Sequence, residues 1–295
     1  MNCELNYKSL AGLVNAAKAE HMPLSALVLR QQAAELELPE EEVYRRMLER
    51  YQVMEACIEP GCQPDLRSAS GLTGGDAARV RARVESGQTL TGPVLGGALY
   101  RALAVSEYNA AMGRIVAAPT AGSCGILPAV LLTLRERGYA QRDCVMSLFT
   151  ASAVGLVIAE NAYLAGAQGG CQAECGSAAA MAAAAAVEVA GGTPDALDDA
   201  VAIALKSQLG LVCDPVAGLV EIPCIKRNAA GAALALMAAE LALAGVRSRI
   251  PADEVITAMK RVGDALPAAL KETAEGGLAA TPTGRRLQAQ VFGKG

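Results

Sequence analysis

The sequence predicts a mainly α fold with an alanine-rich helical core, and three observations support this. Apolar residues recur at helical spacing along most of the 295 residues. Helix starts carry recognisable caps, of which Thr193 followed by Pro194 is the clearest. Alternating strand patterns bounded by hairpin turns are hard to find, and aromatic residues make up only 3% of the chain.

Two predicted helices have clear starts. The first follows Pro39 and three glutamates, an acidic first turn that suits a helix N-terminus, and its apolar positions are Val43, Met47, Leu48, Tyr51 and Met54. The second begins at the Thr193 cap and is predicted to end at Gly210, with apolar positions at Leu197, Val201, Ala204 and Leu205.

Three apolar stretches, residues 144–159, 176–190 and 228–246, could be mistaken for membrane spans. The first is shorter than the roughly 20 apolar residues that a span requires. The second is mostly alanine and contains Glu188, and the third contains Glu240. All three are therefore predicted to be buried core helices.

The composition changes along the chain and predicts two parts. Residues 1–62 are charged and amphipathic, which predicts a helical N-terminal lobe, and residues 63–295 are predicted to form one helical catalytic core. Glycine-containing loops interrupt that core at residues 70–76, 118–125, 165–176 and 210–224. Such loops can direct backbone N–H groups at an anion, although ordinary helix turns have the same composition.

Charge and cysteine content narrow the class of protein. The net charge is −4 without a dense basic block, so nucleic acid is not an expected partner. The first residues contain neither a basic segment nor a continuous apolar one, so we expect no secretory signal and a cytoplasmic location. In a reducing compartment the nine cysteines are expected to serve packing, metal ligation or reactivity rather than a disulfide framework.

Two of the loops contain cysteines beside glycine and proline. Cys171 and Cys175 are separated by three residues, and Cys213 and Cys224 by ten. Thiolates are good ligands for iron or zinc, but these spacings are not those of zinc ribbons or ferredoxins. Spacing alone therefore leaves metal binding and inert, buried thiols both open.

Several segments closely resemble the alpha chain of the iron-sulfur-dependent L-serine dehydratases. They are SGLTGGD at 70–76, NAAMGRIVAAPTAGS at 109–123, GCQAE at 170–174, and CDP at 213–215 with IPCI at 222–225. A weaker similarity, ET at 272–273 and GGLAATPTG at 276–284, extends nearly to the C-terminus. The resemblance implies an enzyme that converts L-serine to pyruvate and ammonia without pyridoxal phosphate.

In that family three cysteines hold a four-iron, four-sulfur (4Fe-4S) cluster, and the matching positions here are Cys171, Cys213 and Cys224. Family members tolerate an apolar residue at the position of Cys175, so the resemblance implies a packing role for it. The remaining cysteines match no ligand motif and are expected to be structural or incidental; they are Cys3, Cys57, Cys62, Cys124 and Cys144.

Three cysteine ligands leave one of the four irons open to substrate, as catalytic zinc keeps a position for water. The resemblance implies that this iron binds serine through its carboxylate and β-hydroxyl. Loop N–H groups should help to hold the carboxylate. The expected substrate-binding residues are Thr73, Gly74, Thr120, Gly122 and Ser123, although each could equally be a cap or turn residue. Residues 226–228 could pair with substrate or cluster charge, or form a solvated helix start.

Removal of the α-proton of serine requires a base, commonly histidine, and His21 is the only histidine in the chain. It lies outside every motif named above and is expected at a surface or helix end. Some family members carry a second domain on a separate beta chain, whose serine-rich loop contains a histidine. The resemblance therefore implies a beta chain as partner and as the source of the base, although a lysine or carboxylate base within this chain stays possible.

Three other functions stay open at this stage. An L-cysteine desulfidase would use a related three-cysteine domain with sulfide as the leaving group. A zinc site with three thiolates and a water would use the same ligands. A non-catalytic helical scaffold with buried thiols would bind no iron at all.

Overall fold

The computed structural model describes Leu5 and residues 7–293, and it confirms the mainly α fold. Within those residues the only β-type pairing is an isolated parallel bridge between Cys213 and Lys271. Cys3, expected to be incidental, lies outside the described residues. The helices are α1 (Leu10–Glu20), α2 (Leu24–Glu35), α3 (Glu40–Ala56), α4 (Ile58–Gly61), α5 (Asp76–Glu85), α6 (Gly92–Ala110), α7 (Ile126–Glu136), α8 (Gln141–Asn161), α9 (Gly166–Gly169), α10 (Ser177–Val189), α11 (Pro194–Lys206), α12 (Cys224–Leu243), α13 (Ala252–Ala265) and α14 (Pro282–Phe292).

Helix α10 forms the centre of the molecule. All of its residues except Glu188 are buried, and it packs against α7, α8, α11 and α12. Eight of its residues are alanine, and so small a side chain lets neighbouring helices approach closely while keeping high helix propensity. The alanine-rich stretches therefore form the core, as the sequence predicts.

Helix α8 is the one helix of the described residues that is long and apolar enough to cross a membrane by length and composition. However, 67% of its most apolar stretch is buried inside the protein. Phe149 and Ile158, for example, are completely buried against the core. This burial is what the sequence analysis expects of a core helix.

The predicted helix starts are found, whereas one predicted end is wrong. Thr193 caps α11 by accepting a hydrogen bond from the Ala196 N–H, and α3 begins directly after Pro39. The predicted end of α11 at Gly210 is incorrect, because the helix ends at Lys206. The Ser207 hydroxyl donates to the Ile203 carbonyl there, and the chain then turns until Gly210, whose φ is +84°.

The N-terminal helices pack directly on the rest of the chain. Helix α1 contacts α11 and α13, and α2 contacts α8. The Asp253 carboxylate at the start of α13 accepts hydrogen bonds from the N–H groups of Leu10 and Ala11 at the start of α1. One continuous apolar core includes residues from both sides of Cys62, and the division into a lobe and a catalytic core stays a prediction.

Candidate functional site

Residues 211–223, in the connection between α11 and α12, are the point at which the motif loops meet. Each of the loops at residues 70–76, 118–125 and 166–176 is hydrogen-bonded to residues 211–223 or to the start of α12, the last of them through the Gln172 N–H and the Leu211 carbonyl. The loops are far apart in sequence, so tertiary hydrogen bonds, rather than local structure, bring them together. The partners of each loop define the site.

The 70–76 loop is held at its middle and at its last residue. The Thr73 hydroxyl donates to the buried Glu221 carboxylate at 2.6 Å, and Asp76 forms an ion pair with Lys226. Gly74 has a φ of +132°, and a Cβ there would lie 2.2 Å from the Leu66 carbonyl oxygen. Only glycine fits this position, because both the conformation and the space exclude a side chain.

The 118–125 loop is held by Asn228, which is buried in the first turn of α12. Its amide donates to the Gly122 carbonyl at 2.7 Å and accepts from the Gly125 N–H at 2.8 Å. The Thr120 hydroxyl lies 3.2 Å from that of Ser123, which is fully buried. The loop is therefore fixed relative to Cys224, four residues before Asn228.

Gln172 joins the two cysteine loops. Its side chain is fully buried and donates to the carbonyls of Gly169 and Met259, both at 2.9 Å. Its carbonyl oxygen accepts from the Gly210 N–H at 2.9 Å. Cys171, the adjacent residue, is therefore held at a fixed position beside the loop that contains Cys213.

Glu174 connects the 166–176 loop to the 118–125 loop and to the loop that contains Cys213. Its carboxylate accepts a hydrogen bond from the Thr120 hydroxyl at 2.9 Å, and its Oε2 lies 4.0 Å from the Cys213 Sγ. Burial raises the pKa of Glu174, and the nearby Glu272 carboxylate adds to this effect. One partly buried carboxylate thus lies between a predicted substrate loop and a predicted cluster ligand.

The thiols of Cys171, Cys213 and Cys224 are buried and close enough to influence one another electrostatically. Burial raises the pKa of Cys213 above its usual range and that of Cys224 to about 12, with Cys171 contributing to both. The pKa of Cys171 is lowered by a hydrogen bond from Cys175, whose own pKa is raised. Cys175 thus contacts a predicted ligand. The other cysteines of the described residues are buried free thiols; they are Cys57, Cys62, Cys124 and Cys144.

Arg227 is a partly buried cation of this region. Its Nη1 donates to the Val212 carbonyl at 2.8 Å, and its Nη2 lies 2.9 Å from the Asp214 Oδ1. That second contact is an ion pair without hydrogen-bonding alignment, because no donor among the described residues is in hydrogen-bonding geometry with Oδ1. The guanidinium lowers the pKa of both Cys171 and Cys224. Of the three residues 226–228, only the exposed Lys226 matches a solvated helix start.

The family model for the serine dehydratase alpha chain matches residues 19–279. The chain belongs to this family. It is 49% identical over 288 residues to the probable L-serine dehydratase alpha chain of Bacillus subtilis, covering 97% of this chain and 96% of that one. The alpha chain of the L-serine dehydratase of Peptoniphilus asaccharolyticus is 41% identical, with 96% and 97% covered.

A third relative is longer than this chain, so the match covers a smaller share of it. The L-serine dehydratase of Streptomyces coelicolor is 40% identical over 271 residues, which are 90% of this chain but 59% of that protein. The chain therefore spans nearly all of the two separate alpha chains and somewhat more than half of the longer enzyme.

The donor set fits the cluster that the family implies. In the described part of the chain, no three His, Cys, Asp or Glu side chains are grouped closely enough to hold one metal ion. A four-iron cluster binds each thiolate through a different iron, so its ligands are spaced more widely than those of a single ion. Buried thiols from separate loops, with a guanidinium beside them, suit such a cluster better than a single zinc ion.

A well-defined cavity lies elsewhere in the molecule. It has a volume of about 530 Å³ and is lined by His21, Lys18 and Glu188 among apolar residues. His21 is exposed and forms the left-handed C-cap of α1, as expected for a helix-end histidine. A cavity of about 430 Å³ beside the 70–76 loop is lined by Ser70 and Glu221. The site is therefore assigned by its chemistry and not by cavity size.

Sequence reasoning gave no role to most of the polar residues that assemble this site, and it considered Asn228 only as a group that could face substrate or cluster charge. Gln172 and Glu174 lie inside a quoted motif, and Asp214 follows a predicted ligand directly. Glu221 and Asn228 lie in or beside apolar segments, where a polar residue without a partner would be costly. A polar residue in such a segment is therefore a sign that it has a buried partner, because buried polar groups require partners.

Proposed function

We propose that this chain is the catalytic subunit of an L-serine dehydratase, a cytoplasmic lyase that converts L-serine to pyruvate and ammonia. The observation that carries the proposal is the convergence of three buried thiols and two threonine- and glycine-containing loops on residues 211–223, in a member of the serine dehydratase alpha chain family.

Cys171, Cys213 and Cys224 would hold a 4Fe-4S cluster with one iron free of protein thiolate. When bound, the cluster supplies a Lewis acid that weakens the C–O bond of the substrate β-hydroxyl. The three thiolates carry negative charge, which the partly buried Arg227 offsets. Pyridoxal phosphate has no part in this proposal.

The loop residues Thr73, Gly74, Thr120, Gly122 and Ser123 would bind and orient the substrate. The hydroxyls of Thr73 and Thr120 each donate to a fixed carboxylate, so their orientation is set before substrate arrives. The backbone N–H groups beside them can then hold the substrate carboxylate. Preorganised donors of this kind require little reorganisation during the reaction.

The base that removes the α-proton would come from a beta chain. A base outside this chain is supported by the position of His21, which lies at the exposed end of α1 and lines a different cavity. Loss of the α-proton and the β-hydroxide gives 2-aminoacrylate and water. This product tautomerises to an imine, and addition of water then releases pyruvate and ammonia without the protein.

The test is to load the isolated chain anaerobically with iron and sulfide, and to measure pyruvate from L-serine and from L-cysteine, with and without the beta chain. We expect turnover of L-serine only in the mixture. The expected loss without the beta chain is about 100-fold or more, the usual contribution of a positioned base.

Two results would contradict the proposal. Faster turnover of L-cysteine than of L-serine would make the chain part of a desulfidase. Full turnover by the isolated chain, abolished by His21→Ala, would place the base in this chain and remove the division of labour.

A further inference from the structure

Glu174 has features of a recognition group in addition to those of a structural residue. It is partly exposed, whereas its neighbours Ala173 and Cys175 are buried. One side of its carboxylate is held by the Thr120 hydroxyl at 2.9 Å, and the Gly166 N–H is a second donor to it. Its position is therefore fixed while part of it still faces accessible space.

Two glycines keep the space around this carboxylate free of side chains. A Cβ at Gly166 would lie 2.6 Å from the Glu174 Oε2 and 2.8 Å from the Cys213 Sγ. A Cβ at Gly122 would lie 3.2 Å from the Glu174 Oε1. Three groups therefore lie around one small space: the Glu174 carboxylate, the Cys213 thiol and the backbone of the 118–125 loop.

The carboxylate has no cation of its own. In the described part of the chain no lysine or arginine forms an ion pair with Glu174, and the charge that acts on it most clearly is that of Glu272, which is also negative. Arg227, the partly buried cation nearby, is paired with Asp214. A carboxylate with neutral donors and no counter-ion is suited to bind a cationic group.

We infer that Glu174 binds the α-ammonium group of the amino-acid substrate, and so determines the specificity of the site for α-amino acids. This inference rests on the proposed function, because it takes L-serine as the substrate. The ammonium is the only cationic group of L-serine. The Glu174 Oε2 lies 4.0 Å from the Cys213 Sγ. An ammonium group bound there would leave the carboxylate and β-hydroxyl of L-serine free to face the loops and the cluster.

The experiment uses the iron-loaded complex with its beta chain and compares Glu174→Gln, Glu174→Asp and Glu188→Gln. Glutamine keeps an oxygen for Thr120 but removes the charge, and aspartate keeps the charge. Glu188 is a matched control because it is the other carboxylate of this helical segment. It lies at the far end of α10, about 20 Å away at 1.5 Å per residue.

We expect Glu174→Gln to raise the KM for L-serine by about 10- to 100-fold, as loss of a charge-assisted hydrogen bond does. The inhibition constant of L-glycerate, which has a hydroxyl in place of the ammonium, should stay within about twofold of wild type. Glu174→Asp should recover part of the L-serine affinity. Glu188→Gln should leave both constants unchanged, and the iron content of all variants should equal that of wild type.

Three results would overturn the inference. They are an unchanged KM for L-serine in Glu174→Gln, an equal weakening of L-serine and L-glycerate, and a loss of iron, which would make Glu174 a structural or cluster residue. The proposed function fails separately, namely when the iron-loaded wild-type complex itself neither binds nor turns over L-serine.

Discussion

Cys171, Cys213 and Cys224 reach the site from three different places: the turn after α9, the connection after α11, and the first residue of α12. The first two are held by partners outside their own segments. The Cys213 N–H and carbonyl bond to Leu270 and Glu272, and Gln172 fixes the turn beside Cys171. Such external support is what a site needs if flexible loops are to keep a fixed geometry.

Replacement of any of the three by serine should abolish cluster retention and activity together, because a hydroxyl is a harder and weaker ligand for iron than a thiolate. Cys175→Ser and Cys144→Ser should retain the cluster and serve as matched controls, since both thiols are also buried. The measurement is iron and sulfide per chain after anaerobic loading. A cluster that survives Cys213→Ser but is lost in Cys175→Ser would show that the ligand set is wrong.

At the scale of elements, the contact between α11 and α13 contains a group of carboxylates. Burial, together with the nearby Asp253 and Asp199 carboxylates, raises the pKa of Asp198 to about 6, although Arg247 and a hydrogen bond from the Ala252 N–H act in the opposite direction. Between pH 4 and pH 6 the folded protein therefore binds more protons at this position than the unfolded chain does. The stability from this group is complete below that window and is lost as the pH rises through it.

Asp198→Asn should remove this pH dependence, because the amide cannot ionise and its oxygen can still accept from the Ala252 N–H. The variant should match wild type near pH 4 and exceed its free energy of unfolding by about 2 kcal/mol at pH 7. Urea unfolding of both proteins at several pH values measures the difference. A difference that does not change with pH would contradict this account of the contact.

The extent to which the sequence predicts these elements depends on the range of the interactions. The α11 cap at Thr193 involves a residue three positions away, and local patterns of this kind predict helices well. Thr73 and Glu221 are 148 positions apart, and Asn228 and Gly122 are 106 apart. No local pattern specifies such pairs, so the motif segments were predictable while the polar residues that join them were not.

At the scale of the whole molecule, the central helix α10 begins directly after the Gln172–Gly176 turn, so the core and the site are continuous. The helices around α10 fix the positions from which the loops start, and the 211–223 connection joins the loops. Resemblance to a family predicted which residues would be ligands, and the fold brings those residues into one region. The structure adds the polar residues, Gln172, Glu174, Arg227 and Asn228, that hold the region together.

The central claim is that three thiolates hold a cluster whose fourth iron meets L-serine. Mössbauer spectroscopy of the complex loaded with ⁵⁷Fe, before and after addition of L-serine, tests it most directly. The account predicts one iron in four with a distinct signal that changes when L-serine binds, because only that iron lacks a protein thiolate. Four equivalent irons whose signals do not respond to L-serine would contradict it.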